Sequence, residues 1–354
     1  MPVDCLERKH QDGHMADVSI ALATLNGARF LRDQLSSYER QTRLPAELVV
    51  GDDGSTDETL EIIAEFAKSA SFPVRILSRG AHLGFADNFL RTAKACKSDF
   101  IAFSDQDDVW LPRKLEEGLR RLEQDGSSLA LHTSMLTDTN LVPIGLHRQG
   151  INRSEVHQPL ALDPYVGLGW GNTMMFSRRP LDIVPLENRP KQPEADQRSL
   201  SHDTWIYVLA AALGRVSHID EPLCLYRQHG ANSFGIKKRT VADQIRASME
   251  IPLFRHQCRV EFYHAMTIIF DDLKSSSDPA LAKAAQRAAE TFEERRARLQ
   301  SRIRVYTGDN ISVRFTEFLR ARRLHASGTA LGPRSLSRLK DLVLGVCGLG
   351  RMGL

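Results

Sequence analysis

The sequence predicts an α/β protein: a mostly parallel sheet covered by helices, with a helical appendage at the C-terminal end. Three observations carry this reading. Short apolar runs alternate with stretches of helical periodicity from Val18 to Ile219, joined by short connections. Two of those runs end in bursts of carboxylate, Asp52-Asp53 and Asp105-Gln106-Asp107-Asp108. From about Lys237 onward strand signals stop and long helical patterns take over.

Val18–Thr24 is almost wholly apolar and predicts a buried strand, closed by the turn dipeptide Asn26-Gly27. Phe30, Leu31, Gln34, Leu35 and Tyr38 recur at helical spacing, so an amphipathic helix follows over residues 28–38. Pro45 breaks the chain, and Glu47–Gly51 is a second strand running straight into Asp52-Asp53-Gly54-Ser55-Thr56-Asp57. Ser55 or Thr56 is the expected cap of a helix that turns Leu60, Ile62, Ile63 and Phe66 inward. A third strand (74–77), a turn (80–84), a helix (85–95) and a fourth strand (100–103) complete the alternation.

Beyond Trp110, residues 114–122 read as a helix and 129–133 as a core-facing strand. Gly167-Leu-Gly-Trp170-Gly171-Asn172-Thr173 is glycine-rich, either a close approach of backbone to a ligand or a tight turn. Residues 185–200 are polar and proline-bearing and predict a mobile loop. His202-Asp203-Thr204-Trp205 opens an apolar helix; an acid in a first helical turn is favoured by the helix dipole with no further function. Residues 216–219 form a short strand, and the segment 223–230 places Arg227 and His229 at a strand end.

Three regions are expected: a disordered leader (1–15), an α/β domain (16–235) and a basic helical region (236–354). In the last, Arg295, Arg296, Arg298, Arg302, Arg304, Arg320, Arg322 and Arg323 make either a solvated helix face or a surface for anionic lipid headgroups. The net charge of +3 is too small to argue for nucleic acid. Five scattered cysteines without metal-ligand spacing point to a reduced, cytoplasmic compartment. No run approaches the ~20 apolar residues of a membrane span. Gly348-Leu-Gly-Arg-Met-Gly353 matches GxGxxG, but with only Leu354 after it there is no helix to bind pyrophosphate.

The carboxylate clusters carry the chemistry. Desolvating several carboxylates together is costly and like charges repel, so a cation, a phosphate-bound metal or solvent must offset them. Right-handed crossovers bring successive strand ends to one edge, so both clusters can line one crevice, where ligands of open sheets sit. Solvated turns are the plain alternative.

At this point the residues resemble the family 2 glycosyltransferases of GT-A fold, with a Rossmann-like mixed sheet, over roughly residues 16–235. The resemblance rests on Thr24-Leu-Asn-Gly27, Val50-Gly-Asp-Asp-Gly-Ser-Thr-Asp57, Gly84-Phe-Ala-Asp-Asn88 and Ser104-Asp-Gln-Asp-Asp-Val-Trp110, in that order and spacing. The later run from His202 to Gly230 is similar to the subgroup with bacterial rhamnosyltransferases of surface polysaccharide assembly. The resemblance implies a nucleotide-sugar donor such as dTDP-rhamnose or a UDP-sugar, and a saccharide or lipid-linked acceptor. It implies that Thr24, Asn26, Asp52 and Asp53 bind the nucleotide, with Gln106. It places Asp105 near the ribose and metal, with Asp107 ligating Mg²⁺ or Mn²⁺. His229 either completes that shell or is structural. Asp203 matches the general base of an inverting displacement. Trp110, Trp170, Gly171, Asn172 and His202 fall on the acceptor side. His202 stands where many relatives carry Glu, and His82 where many carry Asn. The QxxRW signature of processive members is absent, which favours transfer of one sugar. The rivals are a nucleotidyltransferase, for which the loop after the first strand has too few glycines and basic residues, and a non-catalytic binding module.

Overall fold

The computed structural model describes residues 17–78, 82–165, 169–191, 199–230, 253–326 and 341–347. The expected leader, the boundary at 235/236 and the terminal GxGxxG lie outside them. The described residues fall into two compact units: those of 1–159, 164–189 and 200–236, and those of 160–163, 190–199 and 237–354.

The first unit is a ten-stranded sheet with helices packed on it. Its N-terminal half follows the alternation in the sequence: β1 (Val18–Thr24), α1 (Ala28–Glu39), β2 (Glu47–Asp52), α2 (Thr59–Ala67), β3 (Val74–Ile76), α3 (Phe85–Ala95) and β4 (Phe100–Ser104). These four strands are parallel. Every residue of β1, β2 and β4 is buried, as expected for strands covered on both faces. Ser55 and Thr56 do not cap α2, which starts later. Ser55 is drawn to Asp52, and Asp57 instead accepts from the Thr59 backbone N–H at 3.1 Å and from that of Ala28 at 3.1 Å.

The second half mixes directions: β5 (Val109–Trp110), α4 (Lys114–Asp125), β6 (Ser127–Thr137), β7 (Pro143–His147), β8 (Glu155–His157), β9 (Met174–Ser177), α5 (Arg179–Ile183), α6 (His202–Leu213) and β10 (Arg215–Arg227). The order is β3-β2-β1-β4-β9-β6-β10-β5, with β7 on β6 and β8 on β10. β6 and β10 are parallel, while β9 runs antiparallel to both β4 and β6. The two short runs read at 216–219 and 223–230 belong to one strand, β10, whose pairing slips on either side of Pro222. Proline has no N–H for the ladder and disguises the continuity. β1 lies between β2 and β4, so the strand order reverses there, and Thr24 pairs with Asp52 while Leu22 pairs with Ser104. Such a switch point leaves a crevice beyond the strand ends. Both acidic clusters open into it.

The second unit holds α7 (Leu253–Leu273), α8 (Pro279–Thr307), α9 (Ile311–Ala326) and one π-helical turn (Asp341–Val346). Pro279 starts α8 behind Asp278, whose carboxylate accepts from the Ala280 N–H at 2.9 Å. Phe262, Tyr263, Phe270 and Phe292 form the seam between α7 and α8; Phe270 stacks on Phe292 at 5.8 Å. Much of the basic run is spent inside this unit. Arg296 pairs with Glu293 at 2.8 Å, Arg302 with Asp341 at 3.0 Å and Arg304 with Glu317 at 3.5 Å, while Arg295 donates to the Leu160 carbonyl at 2.5 Å. Among the described residues no helix is long and apolar enough to cross a membrane.

Candidate active site

The loops after β1 and β2 are knitted together. Asp52 Oδ1 accepts from Thr24 Oγ1 at 3.0 Å and from Ser55 Oγ at 2.5 Å, and Oδ2 accepts from the N–H groups of Gly54 (3.0 Å) and Ser55 (2.9 Å). Burial alone would raise this carboxyl, but those donors outweigh it and hold it below the usual carboxylate range. Asp53 receives the N–H groups of Leu83 at 2.7 Å and Gly84 at 2.8 Å, fixing the entry to α3. His82 Nδ1 lies 3.0 Å from Asp53 Oδ2 and from the Asp53 carbonyl. Asn26, at φ 49°, accepts from the Thr56 N–H at 2.8 Å. Thr24, expected at the nucleotide, is buried, with its hydroxyl donating to Asp52.

Gln106 joins this region to the second cluster. Its amide donates to the Leu25 carbonyl at 3.0 Å and accepts from the Leu25 N–H at 2.9 Å. A Cβ on Gly27 would stand 2.3 Å from Gln106 Oε1, so a larger residue there would push the Gln106 amide off Leu25.

Beyond β4 the carboxylates crowd with fewer donors. Asp107 Oδ2 lies 2.7 Å from His229 Nε2, and the His229 ring packs on Phe30 at 4.8 Å. Asp105 is raised well above the usual range, first by burial and then by Asp108, Asp107 and Asp203. Asp108 is fully buried, accepting from Asn172 Nδ2 at 2.7 Å and from the Arg227 N–H at 3.2 Å; burial and Asp107 push its carboxyl up to about 7. Lys114, buried beside it, donates to the Asn172 carbonyl at 2.5 Å and is pushed down to about 8 by burial. Asp203, in the first turn of α6, has Oδ1 bound by the Thr204 N–H at 2.6 Å and by the Ser201 hydroxyl. Its other oxygen has no hydrogen bond among the described residues.

Most of the residues expected on the acceptor side are under the surface. Trp110 is 2% exposed, set edge-on against Tyr38 at 4.9 Å with the Lys114 ammonium 3.9 Å from its ring centre. It supports the floor of the site and has no face for a sugar. Asn172 is buried and spent on Asp108 and Lys114. His202 is buried, stacked on Phe89 at 4.1 Å; a Cβ on Gly171 would meet its Nε2 at 2.6 Å. Burial pushes the His202 imidazole down to about 4, and neither ring nitrogen has a hydrogen-bond partner among the described residues. Trp170 is half-buried between His147 and Tyr226. These positions wall the site from behind.

Two residues are added by the geometry. Arg227, buried, donates Nε to the Asp107 carbonyl at 2.9 Å and NH2 to Asp33 Oδ2 at 2.8 Å, with its guanidinium 4.4 Å from the Phe30 ring centre. It fixes the backbone that presents Asp107. Lys114 supplies the buried positive charge beside Asp108. Both were visible in the sequence only as one arginine at a strand end and one lysine in an ordinary helix.

A mixed sheet with acidic strand ends at its switch point defines a GT-A transferase architecture, and the solved structures agree. The crystal structure of S. aureus TarS 1–349 with UDP superposes with a TM-score of 0.50 at 17% identity, covering 96% of this chain and 92% of that one. The same protein with UDP-GlcNAc also gives 0.50, at 17% identity, over 79% of this chain and 72% of that one. At that identity the likeness is one of fold. Residues 19–184 match the glycosyl transferase family 2 model. Among curated relatives, an uncharacterized glycosyltransferase of Nostoc sp. is 27% identical over 61% of this chain and 66% of its own length. A Mycobacterium tuberculosis protein, itself uncharacterized, is 23% identical over 60% of this chain and 59% of its own. The dTDP-rhamnosyl transferase RfbG of Shigella flexneri is 29% identical over 60% of this chain and 73% of its own. The chain thus spans about six-tenths to two-thirds of the length of the first two.

Proposed function

We propose that the chain is an inverting glycosyltransferase that moves one sugar from a nucleotide-sugar donor, dTDP-rhamnose or a UDP-sugar, to a saccharide or lipid-linked acceptor. The reading includes a role in polysaccharide assembly. The observation that carries it is the Asp107–His229 pair, 2.7 Å apart, with the carboxylates of Asp105 and Asp203 beside it. The Shigella relative's name supplies the rhamnosyl donor as the first to test.

The residues present fit a divalent cation. Asp107 and His229 already converge, and the neighbouring carboxylates are raised by burial and by one another's charge, only partly offset by Lys114. Asp107 would hold Mg²⁺ or Mn²⁺ with His229, and Asp105 would face its shell; imidazole suits Mn²⁺ better than Mg²⁺. Such a cation neutralises charge on the departing nucleoside diphosphate.

The chain's own residues do the rest. The crevice after β1 and β2 receives the base, with Asn26 and the Asp52-Asp53 loop as its rigid wall. The free oxygen of Asp203 takes the proton of an acceptor hydroxyl. The acceptor's oxygen, so activated, bonds to the anomeric carbon as the bond from that carbon to the donor's phosphate oxygen breaks, giving inversion, with the nucleoside diphosphate leaving. Asp108, Lys114 and Arg227 keep Asp107 in place. Any contact with an anionic membrane surface is assigned to α9. There Ile311, Phe315 and Leu319 recur at four-residue spacing and are all exposed, with Arg320 beside them.

The test is transfer or donor hydrolysis with dTDP-rhamnose, UDP-glucose and UDP-N-acetylglucosamine, each with Mn²⁺ and with EDTA. Cation-dependent turnover of one donor supports the reading. Failure of every nucleotide to bind would leave the fold without this activity.

A further inference from the structure

Three metal-binding side chains converge far from the acidic strand ends. β8 pairs antiparallel with β10 so that Glu155 opposes His218 and His157 opposes Val216. Side chains directly opposite, or two apart on one strand, share a face. Glu155, His157 and His218 therefore project together. His218 lies nine residues before Arg227 on β10, roughly 30 Å along the strand at ~3.3 Å per residue.

The distances are those of ligands around one ion. His157 Nε2 is 3.0 Å from His218 Nδ1 and 3.6 Å from Glu155 Oε1, and the three ligand atoms lie within 4.8 Å of one another. Tetrahedral zinc with bonds of ~2.0–2.1 Å sets its ligands about 3.3 Å apart, between the two shorter separations. The carboxylate is also oriented. Arg153 holds Glu155 Oε2 at 2.8 Å, leaving Oε1 toward the imidazoles. A hydrogen bond between the two rings accounts for the 3.0 Å contact. It gives Glu155 and its arginine no part.

We propose that Glu155, His157 and His218 form a second cation site, for zinc or a chemically similar transition metal, that fastens the three-residue strand β8 to β10. Two imidazoles and one carboxylate oxygen favour such a metal over Mg²⁺. The fourth position is left to water. The site is independent of Asp107 and His229 and stands whether or not the proposed transfer reaction is correct.

The experiment uses the full chain carrying Asp107→Asn, stripped with chelator, so that the acidic site does not confuse the count. Equilibrium dialysis against Zn²⁺ should show one ion bound per chain. His157→Gln and Glu155→Gln, each added to that chain, should weaken uptake at least ~10-fold while the chelated proteins keep the same far-UV spectrum and melting temperature. Co²⁺ should give visible absorption of tetrahedral intensity in the parent and not in the variants. No Zn²⁺ uptake, or uptake unchanged in both variants, overturns the site. Should both variants unfold, X-ray absorption on the zinc-loaded parent decides: two imidazoles plus oxygen ligands support the proposal, and any other imidazole count overturns it.

Discussion

The two acidic strand ends contain the same residue type and behave in opposite ways. After β2, Asp52 and Asp53 are saturated by backbone and hydroxyl donors, and the Asp52 carboxyl is held low despite its burial. After β4, Asp105 and Asp108 are pushed up by burial and then by neighbouring carboxylates, Asp107 among them, with Asn172, Lys114 and one backbone N–H to offset them among the described residues. The contrast teaches that a carboxylate cluster is not itself a signature of chemistry. What separates the regions is whether the negative charge is already satisfied. The first cluster is braced by its donors, and the second is the one proposed to hold a cation.

The largest expected effect comes from breaking the unsatisfied side. Asp203→Asn should lower kcat by about 10²–10⁴-fold while donor affinity, read by calorimetry, stays within a few-fold. A variant transferring at the parent rate would remove Asp203 from the chemistry. Asp107→Asn should cost at least ~100-fold in turnover, recovered only in part by excess Mn²⁺.

On the satisfied side the same kind of change should act on folding. Asp52→Ala orphans the Thr24 and Ser55 hydroxyls and two backbone N–H groups, and should cost about 1–3 kcal/mol in denaturant unfolding. Loss of activity without loss of stability would make Asp52 a direct ligand contact and erase the contrast.

A smaller effect concerns His202, which links α6 to Phe89 behind the site. Its folded pKa of about 4 lies below the ordinary 6.5, so the unfolded chain binds the extra proton. Stability is therefore full above about pH 6.5 and falls as pH drops toward 4, by about 3 kcal/mol from this group. His218 adds a loss of the same sign. His202→Met should flatten the pH dependence of unfolding between pH 6.5 and 4; an unchanged slope would contradict the burial argument.

The smallest expected effect is on membrane affinity. Phe315→Ser with Leu319→Ser should reduce cosedimentation with anionic vesicles a few-fold, since each exchange removes one exposed apolar group from α9. Equal binding by the double variant would remove α9 from the contact.

The first four strands and three helices were legible because each apolar run is buried on both faces and each helix has one apolar side. β7 and β8 were not. Four of the five residues of β7 are exposed, so no burial pattern marks them, and β8 is three residues long. The acids at Asp52, Asp53, Asp105, Asp107 and Asp203 could be read from their places after strands or at a helix start. Which of them were already neutralised could not, because the donors come from Thr24, Leu83, Gly84 and Asn172, scattered along the chain. Trp110 was placed on the acceptor side by the resemblance alone, and only the packing of Tyr38 and Lys114 around it shows that it is buried.

The central claim is that the Asp107–His229 pair is the cation site of a nucleotide-dependent reaction. Its most direct test is the uptake of Mn²⁺, followed by electron paramagnetic resonance, with and without dTDP or UDP. One Mn²⁺ bound per chain, tightened by nucleotide and abolished by Asp107→Asn, is the predicted result. Nucleotide binding that is indifferent both to Mn²⁺ and to Asp107→Asn would contradict it.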